Sequence, residues 1–556
     1  MSQRYEITTW VGVLGLCLGL LLHGAVHDGL TNDEILYLAS GQLQIQRGDF
    51  RLNPTHPPLA SSLIGLGLLG SSLRTPPLPD SGDPLAYCYR FVHVENEPAQ
   101  VILRGRAPVI VLALGLVALA GLWARRLCGP WGGLIALVVA AFHPSLLAHG
   151  HLATTDVPSA FFMMAAAFAF DLWLRAPSLV RAMSFGAVLG LAVATRLTSV
   201  LLLPALALAL LVALTRRREP GLSSRLREVG LLTLSTAVIV PAMLWAAYSF
   251  RDSPWPEGLW RKPQVSGIAA RAVDTIGASG VLPEAYLQGV RFQIEHSRKG
   301  HPGFLVGEHS KTGFARFGLV AFVVKNTPGF LLATGLALGL SLVRRRSQWE
   351  PSAVLLLALT LTVFAATSLS RVQIGERYLL PMYAPLIVLV AWSTTVALRH
   401  RWVGLALAMA VTFHVGPTLL QTYKGFVPFF NFLAGGEEGG HRFLLDSSLD
   451  WGQDLPRLAE WMKRENVAQV QLAYHGVDDP SRFGIVREDL PGIVLYPSHP
   501  PAVPLSGVVA VSPNLLFGLV GKAGEPYARL RQVPPDDRAG VFFIYRRLDS
   551  PHPEAR

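Results

Sequence analysis

The stretch that decides the fold is residues 107–148, which read APVIVLALGLVALAGLWARRLCGPWGGLIALVVAAFHPSLLA. It holds two apolar runs, each close to the ~20 residues that a helix needs to cross the hydrocarbon core of a bilayer. Between the runs stand Arg125 and Arg126. Basic residues in a short loop between two apolar runs are typical of the cytoplasmic side. The stretch therefore predicts two membrane-spanning helices joined by an inside loop.

The composition extends this interpretation to the whole chain. Of the 556 residues, 51% are hydrophobic and 15% are charged, and the mean hydropathy is +0.39. Soluble domains carry about 25% charged residues, so a purely soluble protein is disfavoured. The chain is also too hydrophobic for intrinsic disorder. The net charge of +11 indicates basic loops beside anionic lipids, not a nucleic-acid partner. The three cysteines are far apart and form neither a disulfide nor a zinc pattern.

Eleven crossings of the membrane are predicted from the apolar runs. They are centred on 8–27, 107–123, 131–148, 157–174, 182–195, 197–214, 229–248, 328–343, 352–369, 379–397 and 402–419. The apolar segment 57–73 opens with two prolines and is rich in Gly and Ser, so it is predicted to lie along the interface.

Arginine in the short loops sets the predicted orientation. Fifteen arginines, including those at 216–218 and 344–346, fall on one side of the eleven-span arrangement. The opposite loop, 149–156, has no Lys or Arg. Because Lys and Arg collect on the cytoplasmic side, the N-terminus is expected in the cytoplasm. An odd number of spans then places the C-terminus outside the inner membrane of the cell.

The C-terminal tail is predicted to form a small α/β domain. Residues 442–476 read as strand, turn, helix and strand, and further strands are predicted at 507–512 and 540–547. The fold class is therefore a polytopic α-helical membrane protein with a small extracytoplasmic α/β domain. Its predicted parts are a membrane domain at 1–425, with outer loops at 28–106 and 249–327, and the α/β domain at 426–556.

Ionisable residues cluster where the predicted spans emerge on the outer side. Transporters instead place such residues in mid-membrane, often on broken helices; here Arg196 is the main polar interruption of the spans. The clustering suits an enzyme that works at the outer interface. The clustered residues are Asp33, Glu34, His56, Asp156, Glu295, His296, His301, Glu308, His309, Lys325, Arg371, Glu376 and Arg377.

The acidic candidates also have structural interpretations. Thr31 to Glu34 matches a capping box, in which Glu34 satisfies a backbone N–H at the start of a helix. Such a box does not require Asp33. Asp156 stands at a helix start, where a negative charge suits the helix dipole.

The same is true of the basic and histidine candidates. Lys325, Arg371 and Arg377 can snorkel to the lipid headgroups, and His56 can be a turn residue before two prolines. The set of His296, His301 and Glu308 resembles metal ligands, but its spacing matches no specific zinc pattern.

Taken together, several motifs in one order resemble the GT-C integral-membrane glycosyltransferases. More narrowly, the chain is similar to the bacterial family-39, or dolichyl-phosphate-mannose-protein-mannosyltransferase-like, branch, which is related to the lipid A aminoarabinose transferases. The resemblance covers about residues 30–460. The motifs are NDEILYLASGQLQIQRGDFRLNPTHPPL (32–59), HLATTDVPSAF (151–161), HSRKGHPGFLVGEHSKTGFARF (296–317), VKNTP (324–328), ERYLLPMYAPLIV (376–388) and DSSLDWGQDLPRL (446–458).

The resemblance implies roles for individual residues. The acidic pair after the first span is catalytic in the family, so Asp33, with Glu34 beside it, is expected to act in catalysis. Asp156 matches the second acidic position of the family. His56 precedes the Pro-Pro-Leu stretch, and Arg377 matches the arginine of the family's RYLLP motif, which lies near the donor phosphate.

The implied reaction moves a sugar from a polyprenyl-phosphate donor to a hydroxyl acceptor, which is a lipid, a glycan or a protein. The phosphate leaving group needs cationic partners, and Arg377, Lys325 and His56 are the candidates. The acceptor hydroxyl needs a carboxylate base; Asp33 would supply it, and a single displacement would invert the sugar.

Three further points stay open at this stage. A divalent metal ion held by His296, His301 and Glu308 remains possible as a cofactor, because the family varies in metal use. A transporter or lipid flippase, and a non-catalytic assembly protein whose outer domain binds a partner, are the alternative functions.

Overall fold

The computed structural model describes residues 3–216, 221–342, 350–397, 401–492, 504–519 and 527–546. Several arginines of the predicted inside loops, namely 217, 218, 344–346 and 399, lie outside these described residues.

Helices form most of the described chain. In chain order they are α1 (Gln3–His27), α2 (Glu34–Arg47), α3 (Leu59–Gly67), α4 (Pro84–Tyr89), α5 (Pro98–Ala141), α6 (Pro144–Gly150), α7 (Asp156–Arg175), α8 (Leu179–Thr195), α9 (Leu202–Arg216), α10 (Leu222–Ala247), α11 (Ile268–Ala278), α12 (Glu284–Lys299), α13 (Phe317–Lys325), α14 (Pro328–Leu342), α15 (Pro351–Leu369), α16 (Leu380–Ala397), α17 (Arg401–Gln421), α18 (Gly436–Gly440), α19 (Leu455–Arg464) and α20 (Pro513–Leu516).

Eight helical segments of the described chain are long and apolar enough to cross a membrane. They contain α1, α5, α7, α9, α10, α15, α16 and α17, and two further apolar helices, α8 and α14, are shorter. The 44-residue α5 is broken at Cys128 and Gly129, whose backbone angles are not helical. The part before the break contains the predicted crossing 107–123, whereas the part after it, 130–141, is shorter than a crossing needs. The polytopic α-helical fold predicted from the sequence is confirmed.

The third predicted crossing, 131–148, is shorter than expected. Helix α5 ends at Ala141, and a separate short helix, α6, begins at Pro144. Proline has no backbone N–H and clashes with the preceding turn, so a helix running through this position is interrupted.

The outer segments are built from short helices and one small hairpin. Helix α3 has nine residues and spans only about 14 Å at 1.5 Å per residue, too short to cross a bilayer. This agrees with an interfacial position for the segment 57–73. Strands β1 (Gly303–Leu305) and β2 (Glu308–Ser310) pair antiparallel in the loop before α13.

The C-terminal region contains a five-stranded mixed sheet in the order β4-β3-β5-β7-β6. Strand β3 is parallel to β4 and β5, while β7 is antiparallel to β5 and β6. The predicted helix and the strands near 470, 509 and 542 are present. The strands are β3 (Val470–Ala473), β4 (Arg487–Asp489), β5 (Val509–Val511), β6 (Asp537–Ala539) and β7 (Phe542–Tyr545).

The prediction of a strand at the start of residues 442–476 is wrong. These residues form turns that lead into a 3-10 turn, Asp446–Ser448. Asp446 has a φ of 55°, a left-handed conformation that cannot continue a strand. The chain bends here, and the following motif packs against the loop after α1.

The hydrophobic core runs without a break from the membrane helices into the C-terminal region. Trp451, Leu455 and Trp461 belong to the same buried cluster as Leu30 and Leu38. Backbone hydrogen bonds join the two parts as well, from Gly29 N–H to the carbonyl of Gln453 (2.8 Å) and from Asn32 N–H to that of Trp451 (3.0 Å). The C-terminal region is thus fixed directly over the loop that follows α1, and the domain boundary at residue 426 stays a prediction.

Candidate active site

Asp33 lies at the junction of the first membrane helix and the C-terminal region. It is the N-cap residue of α2 but makes no side-chain capping bond, and the loop before it is held by Gln453 and Trp451. About a third of its side chain is exposed (34%). The carboxylate is therefore available to a ligand and is held by rigid elements on both sides.

Arg377 is the partner of Asp33. It lies on the 3-10 turn Glu376–Leu379, just before α16, and its Nη1 is 2.6 Å from Asp33 Oδ2 and 3.6 Å from Asp156 Oδ2. The guanidinium also stacks on the ring of Trp451, at 4.3 Å from the ring centroid. Its buried Nε–H has no hydrogen-bond partner among the described residues. Arg377 thus has a free donor in addition to those facing the carboxylates.

Asp156 joins a second arginine to the cluster. It is the first residue of α7 and is buried, and it forms an ion pair with Arg196, which caps the end of α8. The position at a helix start is the one that the helix dipole favours, but the two arginine contacts go beyond that role. Two carboxylates and two guanidinium groups therefore alternate at one end of α2, α7, α8 and α16.

This charged cluster opens into a cavity of about 310 Å³. The cavity is walled by the loop after α1, the loop after α12, the turn before α16 and the C-terminal region. Its lining includes Asn32, Asp33, His301, Arg377, Asp446, Trp451 and His475. At ~30 Å³ for each water molecule, the cavity has room for about ten waters. It lies beside Asp33, whose carboxylate is the partly exposed one of the charged cluster.

Glu34 has a different environment from its neighbour. It is fully buried and accepts five hydrogen bonds, from the N–H and hydroxyl of Thr31, from Nε and Nη2 of Arg106, and from Ala153 N–H. The bond from Thr31 N–H is the glutamate half of a capping box. Burial alone would raise the pKa of Glu34, but the charge and hydrogen bonds of Arg106 lower it. The carboxylate of Glu34 is thus buried among neighbouring donors that bond to it, whereas the carboxylate of Asp33 is partly exposed.

Of the three residues predicted to bind the donor phosphate, Arg377 is the one that lines the cavity. Lys325 is buried, and its ammonium donates to the carbonyls of Val427 (2.9 Å) and Ser448 (2.7 Å). Burial lowers the pKa of Lys325 to about 8. The ammonium therefore ties α13 to the C-terminal region in this structure.

His56 lies close to the charged cluster but outside the cavity lining. Its Nδ1 is 2.9 Å from the Thr55 hydroxyl, and its ring meets that of Tyr37 edge to face. Burial and the positive charge of Arg196 lower the pKa of His56 to about 4. A neutral imidazole can form a hydrogen bond to a phosphate but adds no charge to its binding.

The predicted metal ligands do not come together. The rings of His296 and His301 are 5.6 Å apart, but Glu308 points elsewhere and forms an ion pair with Arg316 (2.8 Å). In the part of the chain that the structure describes, there is no group of three or more His, Cys, Asp or Glu side chains that could hold a metal ion. The three residues do not fit a metal site in this arrangement, so no chemical step is derived through a metal.

Four residues of the site have no role in the sequence-based prediction. Arg196 is visible in the sequence as a charge between two apolar runs, but its partner Asp156 is forty residues away. Asp446 and Trp451 belong to the motif DSSLDWGQDLPRL, which carries no obvious chemical signal. His475 follows a predicted strand and has no sequence signal for its position beside the cavity.

Comparisons with known proteins agree with the resemblance seen in the sequence. The family model described as dolichyl-phosphate-mannose-protein mannosyltransferase matches residues 100–245, about a quarter of the chain. This segment contains Arg106, Asp156 and Arg196. The match confirms the resemblance for that segment, and no curated protein sequence matches the chain.

Several solved structures share similarity with the chain. ArnT from Cupriavidus metallidurans in the apo state is 15% identical, with 97% of this chain and 98% of that one covered and a TM-score of 0.49. The same protein bound to undecaprenyl phosphate is 15% identical, with 98% of both chains covered and a TM-score of 0.48. The Archaeoglobus fulgidus oligosaccharyltransferase in complex with Zn and sulfate is 14% identical, with 89% of this chain and 59% of that one covered and a TM-score of 0.42.

Proposed function

We propose that this protein is a glycosyltransferase of the outer face of the inner membrane, which moves a sugar from a polyprenyl-phosphate donor to a hydroxyl acceptor. The observation that carries the proposal is the pairing of a partly exposed carboxylate, Asp33, with a buried arginine, Arg377, beside one cavity. A base and a phosphate-binding cation at adjacent positions are what such a transfer requires.

Arg377 is the residue that we assign to the donor phosphate. Its guanidinium is held by Asp33, Asp156 and the ring of Trp451, so little conformational freedom is lost when a ligand binds. Arg377 lines the cavity, so its guanidinium can donate to a phosphate oxygen of a donor bound there. As the sugar–phosphate bond breaks, negative charge grows on that oxygen, and the hydrogen bond becomes stronger.

Asp33 is the residue that we assign as the base. A hydroxyl acceptor must lose its proton as it attacks the sugar, and a carboxylate within hydrogen-bond reach accelerates this step. Because Asp33 and Arg377 lie side by side, the acceptor and the phosphate meet the sugar within the same cavity. Attack on the face opposite the phosphate inverts the anomeric carbon in one displacement, and no glycosyl-enzyme intermediate is formed.

The acceptor is a lipid, a glycan or a protein, and the charged cluster supports the enzyme over the two alternatives. A transporter or flippase needs ionisable groups along a path through the membrane, whereas Asp33, Asp156, Arg196 and Arg377 converge at one end of the helices. A non-catalytic assembly protein has no need for a partly exposed carboxylate beside an unpartnered arginine donor.

The proposal is tested with membranes that contain the protein and their own acceptors, incubated with a panel of radiolabelled polyprenyl-phosphate sugars. We expect label from at least one donor to appear in a membrane acceptor. Membranes without the protein are the control, and equal labelling in both would contradict the proposal.

The role of Arg377 predicts a specific weakening of donor binding in Arg377→Lys. Lysine keeps the charge but loses the planar fork and the Nε donor. The affinity for the donor should fall by about 1.5–3 kcal/mol, the scale of a charge-assisted hydrogen bond, which is roughly 10- to 150-fold. Direct binding of a polyprenyl-phosphate sugar to the purified protein measures this change.

Arg371→Lys is the matched control, because Arg371 is exposed and lies in the same segment but contacts only a backbone carbonyl. It should bind the donor normally. Unchanged donor affinity in Arg377→Lys would mean that the arginine only anchors α16, and the phosphate role would pass to Lys325 or His56.

The orientation of the chain in the membrane gives a second prediction. From the arginine-rich loops, we expect residues 28–106 and the C-terminal region to lie outside the cytoplasm. A reporter fused after Arg556 should be active only if it is a reporter that works outside the cytoplasm. Activity of a cytoplasmic reporter at the same position would overturn the predicted topology and the assignment of the site to the outer face.

A further inference from the structure

Besides His301, three polar side chains line the cavity and take no part in the mechanism described above. They belong to Asn32, Asp446 and His475. Asn32 precedes the proposed base, whereas the other two come from the C-terminal region. Together they form one surface beside Arg377 and Asp33, here called the polar wall.

The carboxyl group of Asp446 is presented by a strained and well-supported turn. The residue has a φ of 55°, and its backbone N–H donates to Asn514 Oδ1 at 2.7 Å. Its Oδ1 accepts the N–H of Ser447 at 2.7 Å, and this is the hydrogen bond that the structure shows for the carboxyl group. Burial raises the pKa of Asp446 to about 7, so near neutral pH the group can donate or accept a hydrogen bond.

The turn that carries Asp446 is joined to the segment that carries Arg377. The hydroxyl of Ser447 donates to the carbonyl of Ile374 (3.0 Å), and the N–H of Glu376 donates to the hydroxyl of Ser448 (3.0 Å). Both hydrogen bonds lie within three residues of Arg377. The spacing between the carboxyl group and the guanidinium is therefore fixed by the fold.

His475 adds a hydrogen-bond donor to the same wall, and Asn32 packs against its ring. The side-chain N–H of Asn514 donates to His475 Nδ1 at 2.8 Å, which places the ring proton on Nε2. The side-chain amide nitrogen of Asn32 lies 3.5 Å from this Nε2. Burial lowers the pKa of His475 to about 4, so the imidazole is neutral. The buried Oδ1 of Asn32 has no hydrogen-bond partner among the described residues.

We propose that the polar wall binds the hydroxyl groups of the donor's sugar ring. The inference rests on the proposed function. A sugar bonded to a phosphate at Arg377 must lie in this cavity, directly beside the wall. Hydroxyl groups both donate and accept, which matches a carboxyl group and a ring N–H.

The inference is tested with Asp446→Asn and a set of polyprenyl-phosphate sugars that includes the preferred donor and its single-deoxy analogues. Asparagine tolerates a left-handed backbone, so the variant should fold. We expect kcat/KM for the preferred donor to fall about 10-fold or more. One deoxy analogue lacks the hydroxyl that Asp446 binds. For this analogue, kcat/KM should differ less than twofold between Asp446→Asn and the wild type. Binding of polyprenyl phosphate without a sugar should be unchanged.

The matched control is Asp489→Asn. Asp489 lies on β4 and pairs with Arg487, away from the cavity, so this variant should prefer the same donors in the same order as the wild type. A uniform loss for all donors in Asp446→Asn would overturn the inference. If the wild-type protein cleaves none of the donors, the proposed function itself fails. If it cleaves them and Asp446→Asn discriminates as the wild type does, only the role of the wall fails.

Discussion

Replacement of Asp33 with Asn should lower sugar transfer by about 10²- to 10⁴-fold, the range that general-base catalysis contributes. The substitution keeps the volume of the side chain and removes its ability to accept a proton. Because the amide oxygen can still accept a hydrogen bond from Arg377, the site should stay assembled. The measurement is the initial rate of transfer from the preferred donor, together with donor affinity, which we expect to change little.

Asp83→Asn provides a matched control. Asp83 is also the N-cap residue of a short helix in the same outer loop, is exposed, and accepts a hydrogen bond from Leu85 N–H. Asparagine caps a helix as well as aspartate does, so this variant should transfer sugar at the wild-type rate. A near-normal rate in Asp33→Asn would show that Asp33 is not the base.

Replacement of Glu34 with Gln should act on stability, although the two acids are neighbours in the sequence. The carboxylate of Glu34 is the acceptor in all five of its hydrogen bonds. In glutamine, an NH₂ group would replace one of the two oxygens and would face N–H or O–H groups, with which it cannot form a hydrogen bond. The fully buried guanidinium of Arg106 would also lose its counter-charge. Breaking a buried ion pair from one side typically costs about 3–5 kcal/mol. We expect the purified protein to unfold at a clearly lower temperature.

Glu95→Gln is the control for this effect, because the pair of Glu95 with Arg90 lies at the surface, where such pairs contribute about 0–1 kcal/mol. Its unfolding temperature should be close to that of the wild type. A Glu34→Gln protein with normal stability and no transfer would reverse the assignment and make Glu34 the base.

The sequence predicts the membrane fold well because the hydrophobicity of the chain, averaged over about 20 residues, determines where the helices lie. Apolar runs of about 20 residues are forced into helices in a bilayer, and these runs are evident from α1 to α17. What escapes such reasoning is local: α5 ends early, at Ala141, just before Pro144 within an apolar run.

The sequence predicts which charged residues belong to the site but not how they pair, because the partners are far apart along the chain. Asp33, Asp156 and Arg377 are identifiable as charges at the outer ends of spans, and the structure brings them together. The sequence does not reveal that Arg106, seventy-two residues away, takes up the carboxylate of Glu34. Pairings of this kind depend on the packing of several helices at once.

The roles of the C-terminal region escape prediction for the same reason. The amphipathic pattern of α19 and the alternation in β3 predict the elements but not where they lie. The bond from Asn32 N–H to the carbonyl of Trp451 and the ion pair of Arg457 with Asp28 fix the region over the site. Only this docking brings Asp446 and His475 to the cavity wall.

The central claim is that this protein breaks a sugar–phosphate bond with Asp33 as the base. It is tested most directly by the release of free polyprenyl phosphate from a labelled donor, measured with the protein in membrane vesicles that retain their own acceptors. We predict that the wild-type protein releases one polyprenyl phosphate for each sugar transferred, with inversion at the anomeric carbon, and that Asp33→Asn releases it at least 100-fold more slowly. Intact donor moved across the vesicle membrane without bond cleavage, or equal release by both proteins, would contradict the account.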